Sequence, residues 1–88
     1  MSKQLLRSGT SIGANIREGQ NAQSKPDFIH KFSIAQKECD ETLYWLELLH
    51  QSQYLEDKEF TKIHSDATEL LKMLRSSILT TKQSIHNS

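Results

Sequence analysis

Phe28, Phe32, Ala35, Cys39, Thr42, Leu46 and Leu49 recur in alternating steps of four and three. A seven-residue repeat kept up over three heptads places every one of these residues on one side of an α-helix. It is the seam of left-handed helical packing, and it excludes a strand. Ile29, Leu43 and Trp45 widen the stripe. A helix apolar over so broad a sector must touch more than one neighbour. Its start is marked by Ser24-Lys25-Pro26-Asp27. Ser24 is the expected N-cap, Pro26 suits the first turn, and Asp27 favours the positive end of the helix dipole.

Two further helices follow from the same reasoning. Before the heptad stretch, Leu5, Ser8 or Gly9, Ile12 and Ile16 recur at helical spacing, with Ser2 placed to cap. Gly9 and Gly13 lie on nearly one face. Glycine inside a helix costs on the order of 1 kcal/mol relative to alanine, so a closely approaching neighbour backbone is expected there. Gly19 stands where a left-handed C-terminal cap is expected. The polar link Gln20-Asn21-Ala22-Gln23 is short, so the next helix runs antiparallel. After the break at Ser52-Gln53-Tyr54-Leu55, Asp57 with Glu56 and Glu59 opens a third helix. Phe60, Ile63, Ala67, Leu70, Leu74, Ile78 and Ile85 form its stripe, flanked by Leu71 and Met73. The expectation is an all-α, up-and-down antiparallel bundle in a single domain over residues 1–88. Its helices span about 2–18, 25–53 and 57–84.

Size and charge narrow the function. A chain of 88 residues holds one domain and buries a modest core, so oligomerisation is expected. Lysine plus arginine equals aspartate plus glutamate at 11 each, which removes a net field toward nucleic acid or membrane. The distribution is uneven. Residues 1–25 carry Lys3, Arg7, Arg17 and Lys25 against Glu18 alone, whereas residues 26–53 carry Asp27, Glu38, Asp40, Glu41 and Glu47 against Lys31 and Lys37. A basic helix beside an acidic one is the simple reading. The lone Cys39 argues against a disulfide framework. There is no signal-like apolar segment and no run long enough to span a bilayer, so a cytoplasmic protein without membrane association is expected.

The chemical motifs are weak. Glu47-x-x-His50 has half the spacing of a bundle metal site, but no second Glu-x-x-His accompanies it, so no metal is expected. His30, His64 and His86 stand singly. Cys39 and His64 could meet across two helices, yet Glu38, Asp40 and Glu41 surround the thiol with the wrong charge for reactivity. No glycine-rich phosphate loop follows a strand. The expectation is a non-enzyme with no cofactor. Asn15 and Glu18 on the first helix, with Glu38 and Glu41 on the second, are the candidates for a buried polar network. Lys3, Arg7, Arg17 and Lys25 are the candidates for nucleic-acid contact, although they do not lie on one narrow stripe.

Three segments together carry a resemblance: Gln4-Leu5-Leu6-Arg7-Ser8, the run Thr10 to Gly19 with its Asn15-Ile16-Arg17-Glu18-Gly19, and Ile34 to Leu46 with its Glu41-Thr42-Leu43-Tyr44-Trp45-Leu46. With Asp27-Phe28-Ile29, Tyr54-Leu55 and Glu69 to Leu74, they resemble the four-helix-bundle proteins of the 23S ribosomal-RNA intervening sequence family, from Gln4 to about Lys82. The resemblance implies a four-helix bundle assembled as a homopentameric ring, with RNA or ribonucleoprotein association as the proposed role. The accessory protein of diversity-generating retroelements is similar in fold. Relative to the family pattern an N-terminal helix is missing, and the three helices here match its second, third and fourth.

Two functions follow as expectations. One is a non-catalytic oligomeric scaffold that contacts RNA or a ribonucleoprotein through pooled basic residues. The other is a protein-interaction module whose exposed apolar face accepts a partner helix.

Overall fold

The computed structural model describes residues 3–87, with side chains described from Arg7 onward. Three helices follow in order: α1 (Lys3–Gln20), α2 (Lys25–Gln51) and α3 (Asp57–His86). The expected cap at Ser2 lies outside the described residues. Short connections make neighbouring helices antiparallel, as in an up-and-down bundle.

α2 is the central element. At its start Ser24 is extended, and its hydroxyl accepts the amide of Asp27 at 3.3 Å. Pro26 sits in the first turn, where its missing donor costs nothing. Phe32, Ala35, Cys39, Thr42 and Leu46 of the heptad seam are buried. Thr42 satisfies its hydroxyl on the carbonyl of Glu38 at 2.8 Å. α3 contributes Leu71, Leu74 and Ile78 to the core, and α1 contributes Ile12. A second, smaller cluster joins Leu46 and Leu55 near the α2–α3 turn, with Leu49, Phe60 and Ile63 against it. Ile85, expected on the stripe of α3, is instead exposed near the end of that helix.

The glycines divide differently from expectation. No described glycine has a positive φ, so Gly19 is not a left-handed cap. α1 runs through it to Gln20. Gly19 is buried because α2 comes in close: a Cβ there would lie 2.6 Å and 2.7 Å from the Phe32 ring and 3.2 Å from Lys31 Cβ. Gly9 and Gly13, where close approach was expected, have nothing within 4 Å of such a Cβ. The left-handed position is taken by Gln53, at φ 63°, in the α2–α3 turn.

Both outer helices pack on α2. Among the described residues no Cα of α1 comes within 8 Å of one in α3. Only side chains bridge them, where Ile12 joins the cluster of Leu71, Leu74 and Ile78 over Cys39. The backbone is therefore an open layer, 50 × 20 × 14 Å, with a seam between α1 and α3.

Candidate functional site: the seam between the outer helices

The seam is lined by Gly9 and Ile12 of α1, by Cys39 and Thr42 of α2 as its floor, and by Ile63, Asp66, Ala67 and Leu70 of α3. The register of α1 explains why it stays open. With about 100° per residue, Ser11 and Asn15 lie on one flank of the Ile12–Ile16 line, and Gly9 and Gly13 on the other. The first flank is pinned to α2. Glu38 accepts hydrogen bonds from the Ser11 hydroxyl and, at 2.9 Å, from Asn15 Nδ2, which also donates to the Ser11 carbonyl at 3.0 Å. The glycine flank consequently faces away from α2, toward the seam. α3 is held to the other side of α2 by Arg75–Asp40 at 3.7 Å and His64–Glu47 at 3.5 Å.

Cys39 lies on the seam floor, fully buried, and its thiol donates to the Ala67 carbonyl at 3.3 Å. Burial pushes its pKa up, and the Asp40 carboxylate adds to this, while Arg75 acts in the opposite direction. A protonated thiol held by a carbonyl is a poor nucleophile. His64 is engaged elsewhere, on Glu47 and against Phe60, so no Cys–His pair forms.

The four candidates for a polar network separate. Asn15 and Glu38 meet half-buried between α1 and α2, and Ser11 joins them. Ser11 was legible only as the residue one turn before Asn15 on the same flank. Glu18 is exposed and pairs with Lys31 at 3.2 Å; Glu41 is exposed on the far side of α2. Each lies about 60° round its own helix from the residue that makes the contact, Glu18 from Asn15 and Glu41 from Glu38, on the exposed side.

The basic candidates also separate. Arg7 and Arg17 are exposed, and among the described residues neither has a carboxylate partner. By register they share the outer face of α1 with Lys3, whose side chain lies outside the described residues. Thr10 and Ala14, both small, stand between them. Lys25 is apart from this face, at the α1–α2 turn, and donates to the Ser84 hydroxyl at 2.5 Å.

Glu47 and His50 do not converge on a site. His50 meets Asp57 at 2.5 Å and stacks on Phe60 with centroids 4.0 Å apart, so the pair is spent clasping α2 to α3. Among the described residues no group of three or more histidine, cysteine or acidic side chains could hold a metal ion. None of the described helices is long and apolar enough to cross a membrane.

Comparison with known proteins agrees with this architecture. A structure of a protein of unknown function from the S23 ribosomal protein family of Bacteroides thetaiotaomicron VPI-5482 superimposes with a TM-score of 0.83. The two are 56% identical over 86% of this chain and 70% of that one. No curated protein matches the chain. Residues 1–76, which include α1, α2 and the part of α3 that lines the seam, match the profile of the 23S rRNA-intervening sequence proteins. The chain belongs to the 23S rRNA-intervening sequence protein family.

Proposed function

We propose that this protein is a non-catalytic scaffold that works by helix association, with the seam between α1 and α3 as the seat of a partner helix. One observation carries the reading: both outer helices pack on α2 but leave each other's backbone untouched, and Gly9 and Gly13 stay open on that flank. Gaps of this kind between apolar helices lose both burial and dispersion contacts unless something fills them. The helix comes from another copy in a homo-oligomer; the five-membered ring implied by the resemblance is one of the masses sedimentation can return.

A hydrophobic dye tests the seam in the dilute chain. Dye fluorescence is expected with the natural chain and is expected to fall in Gly9→Leu, whose added side chain occupies the opening, at unchanged helicity. Absence of dye binding, or binding indifferent to Gly9→Leu, overturns the reading.

A second reading, association with RNA or a ribonucleoprotein in the cytoplasm, is favoured by the unpartnered Arg7 and Arg17 on the outer face of α1 and by the family's link to ribosomal RNA. Retention of RNA should weaken with salt, and the slope should fall by about one for each phosphate contact removed in Arg7→Ser and Arg17→Ser. Retention unchanged in the double variant discards it.

A further inference from the structure

Where α1 turns into α2, the C-terminal half of α3 comes alongside and leaves a cleft of about 440 Å³, a size within the range of small-ligand pockets. The cleft shares no lining residue with the seam, and Arg7 and Arg17 lie outside it. A second hollow of about 320 Å³ shares Phe28, Thr80 and Thr81 with it and extends to Ser76 and Ser77 of α3. Phe28 thus stands between the two. It is half-buried, and its ring stacks on that of Phe32 with centroids 4.0 Å apart.

The lining has a definite chemistry. Among the described residues Lys25 is the only charged one that borders either hollow. Its ammonium group donates to the Ser84 hydroxyl at 2.5 Å, across from the start of α2 to the end of α3, and forms no ion pair there. Ser24 accepts the Asp27 amide and keeps its hydroxyl proton to donate. Thr81 is spent on the Ser77 carbonyl at 2.8 Å. The Thr80 hydroxyl and the side-chain amides of Gln20 and Gln23 border the cleft without a hydrogen bond to any described residue. One cation without an acid beside it favours an anion. A ring at the cleft wall favours a flat group, and free amides match the donors and acceptors on the edge of a heterocycle. A neutral sugar would leave Lys25 without a counter-charge, and a bare phosphate would leave Phe28 and the amides unused.

We infer that this cleft binds a single nucleotide unit, its base on Phe28 and between the amides of Gln20 and Gln23, its phosphate on Lys25 and Ser84, and its sugar against the Thr80 hydroxyl. The nucleotide is either free or one unit of a single strand. In the second case the hollow past Phe28, toward Ser76 and Ser77, receives the neighbouring unit. The site is separate from the face of α1 that carries Arg7 and Arg17 and does not rest on RNA binding there.

Titration of the intact chain with AMP, followed in two-dimensional amide NMR spectra, tests it. The amides of Gln20 to Lys25 and of Thr80 to Ser84 should shift, while those of Arg7 and Ile12 stay in place. Binding should weaken on the order of tenfold in Lys25→Gln, which alters an exposed side chain, and by a similar factor in Phe28→Leu. If Phe28→Leu lowers helicity, Lys25→Gln decides alone. Inorganic phosphate and adenosine each supply only part of the ligand and should each bind roughly tenfold or more weakly than AMP. A short oligoadenylate that binds more tightly than AMP and spreads the shifts to Ser76 and Ser77 identifies the source as a strand; equal or weaker binding identifies it as the free nucleotide. The inference is overturned if AMP leaves the cleft amides unmoved, if inorganic phosphate binds as tightly as AMP, or if Lys25→Gln binds AMP like the natural chain. AMP binding should persist in the Arg7→Ser/Arg17→Ser variant, so failure of RNA retention on α1 and failure of the cleft are read separately; loss of AMP binding in that variant also overturns the inference.

Discussion

At the scale of the residue, three glycines in one helix have two opposite consequences. Gly19→Ala drives a methyl group against the Phe32 ring and should destabilise the fold by about 1–3 kcal/mol. Gly9→Ala and Gly13→Ala meet nothing and should each stabilise the isolated chain by about 0.5–1 kcal/mol. Urea midpoints would check both signs. Cys39 makes a pH prediction. Its folded pKa is raised by burial, so between its unfolded value, about 8.5, and its folded value only the unfolded state loses the proton. Stability should therefore be undiminished below about pH 8 and fall as pH rises past it, with a slope approaching 1.4 kcal/mol per unit. The same titration on Cys39→Ala should lack that limb. Spacing alone marked Asn15 and Glu38 as partners but included Glu18 and Glu41. Whether two polar side chains meet depends on the rotation of one helix against the other, and pairwise spacing within each helix does not contain it.

At the scale of the element, the three helices were legible because each is written in local chemistry. Ser24, Pro26 and Asp27 start α2 at the expected turn, and the heptad stripe carries it to Gln51. The ends were less legible. α1 continues past Glu18 because Gly19 serves packing, and the turn after α2 is made by Gln53 in a left-handed conformation that no sequence signal announced. That conformation costs a side-chain-bearing residue roughly 1–2 kcal/mol, which glycine avoids. Gln53→Gly should accordingly raise the thermal midpoint, seen by circular dichroism, without altering helix content. A lowered midpoint would mean that the Gln53 side chain contributes to the turn. The clasp of His50 on Asp57 and Phe60 shows the same limit: Glu47-x-x-His50 was visible as a pattern, but its partners lie across the turn.

At the scale of the molecule, an open layer of three helices is a poor stopping point for a chain with so small a core. Tyr44 and Trp45 of α2 and the glycine flank of α1 are left uncovered in the single chain. Association of the folded form adds stability that grows with concentration. The thermal midpoint should rise as the protein is concentrated from the low micromolar to the high micromolar range. A midpoint independent of concentration would show that the single chain is self-sufficient.

By itself the sequence determined the elements and their order. Periodicity, caps and breaks act over a turn or two, and the heptad of α2 states that it must be packed on both sides. The tertiary structure alone decided which contacts those faces make: Gly19 rather than Gly9 under α2, Ser11 rather than Glu18 on Glu38, and α1 and α3 held apart over a shared floor. The physical reason is that rotation and offset between helices are set by how all their side chains fit at once. Residues equivalent along one helix become distinct only when a second helix lies against them.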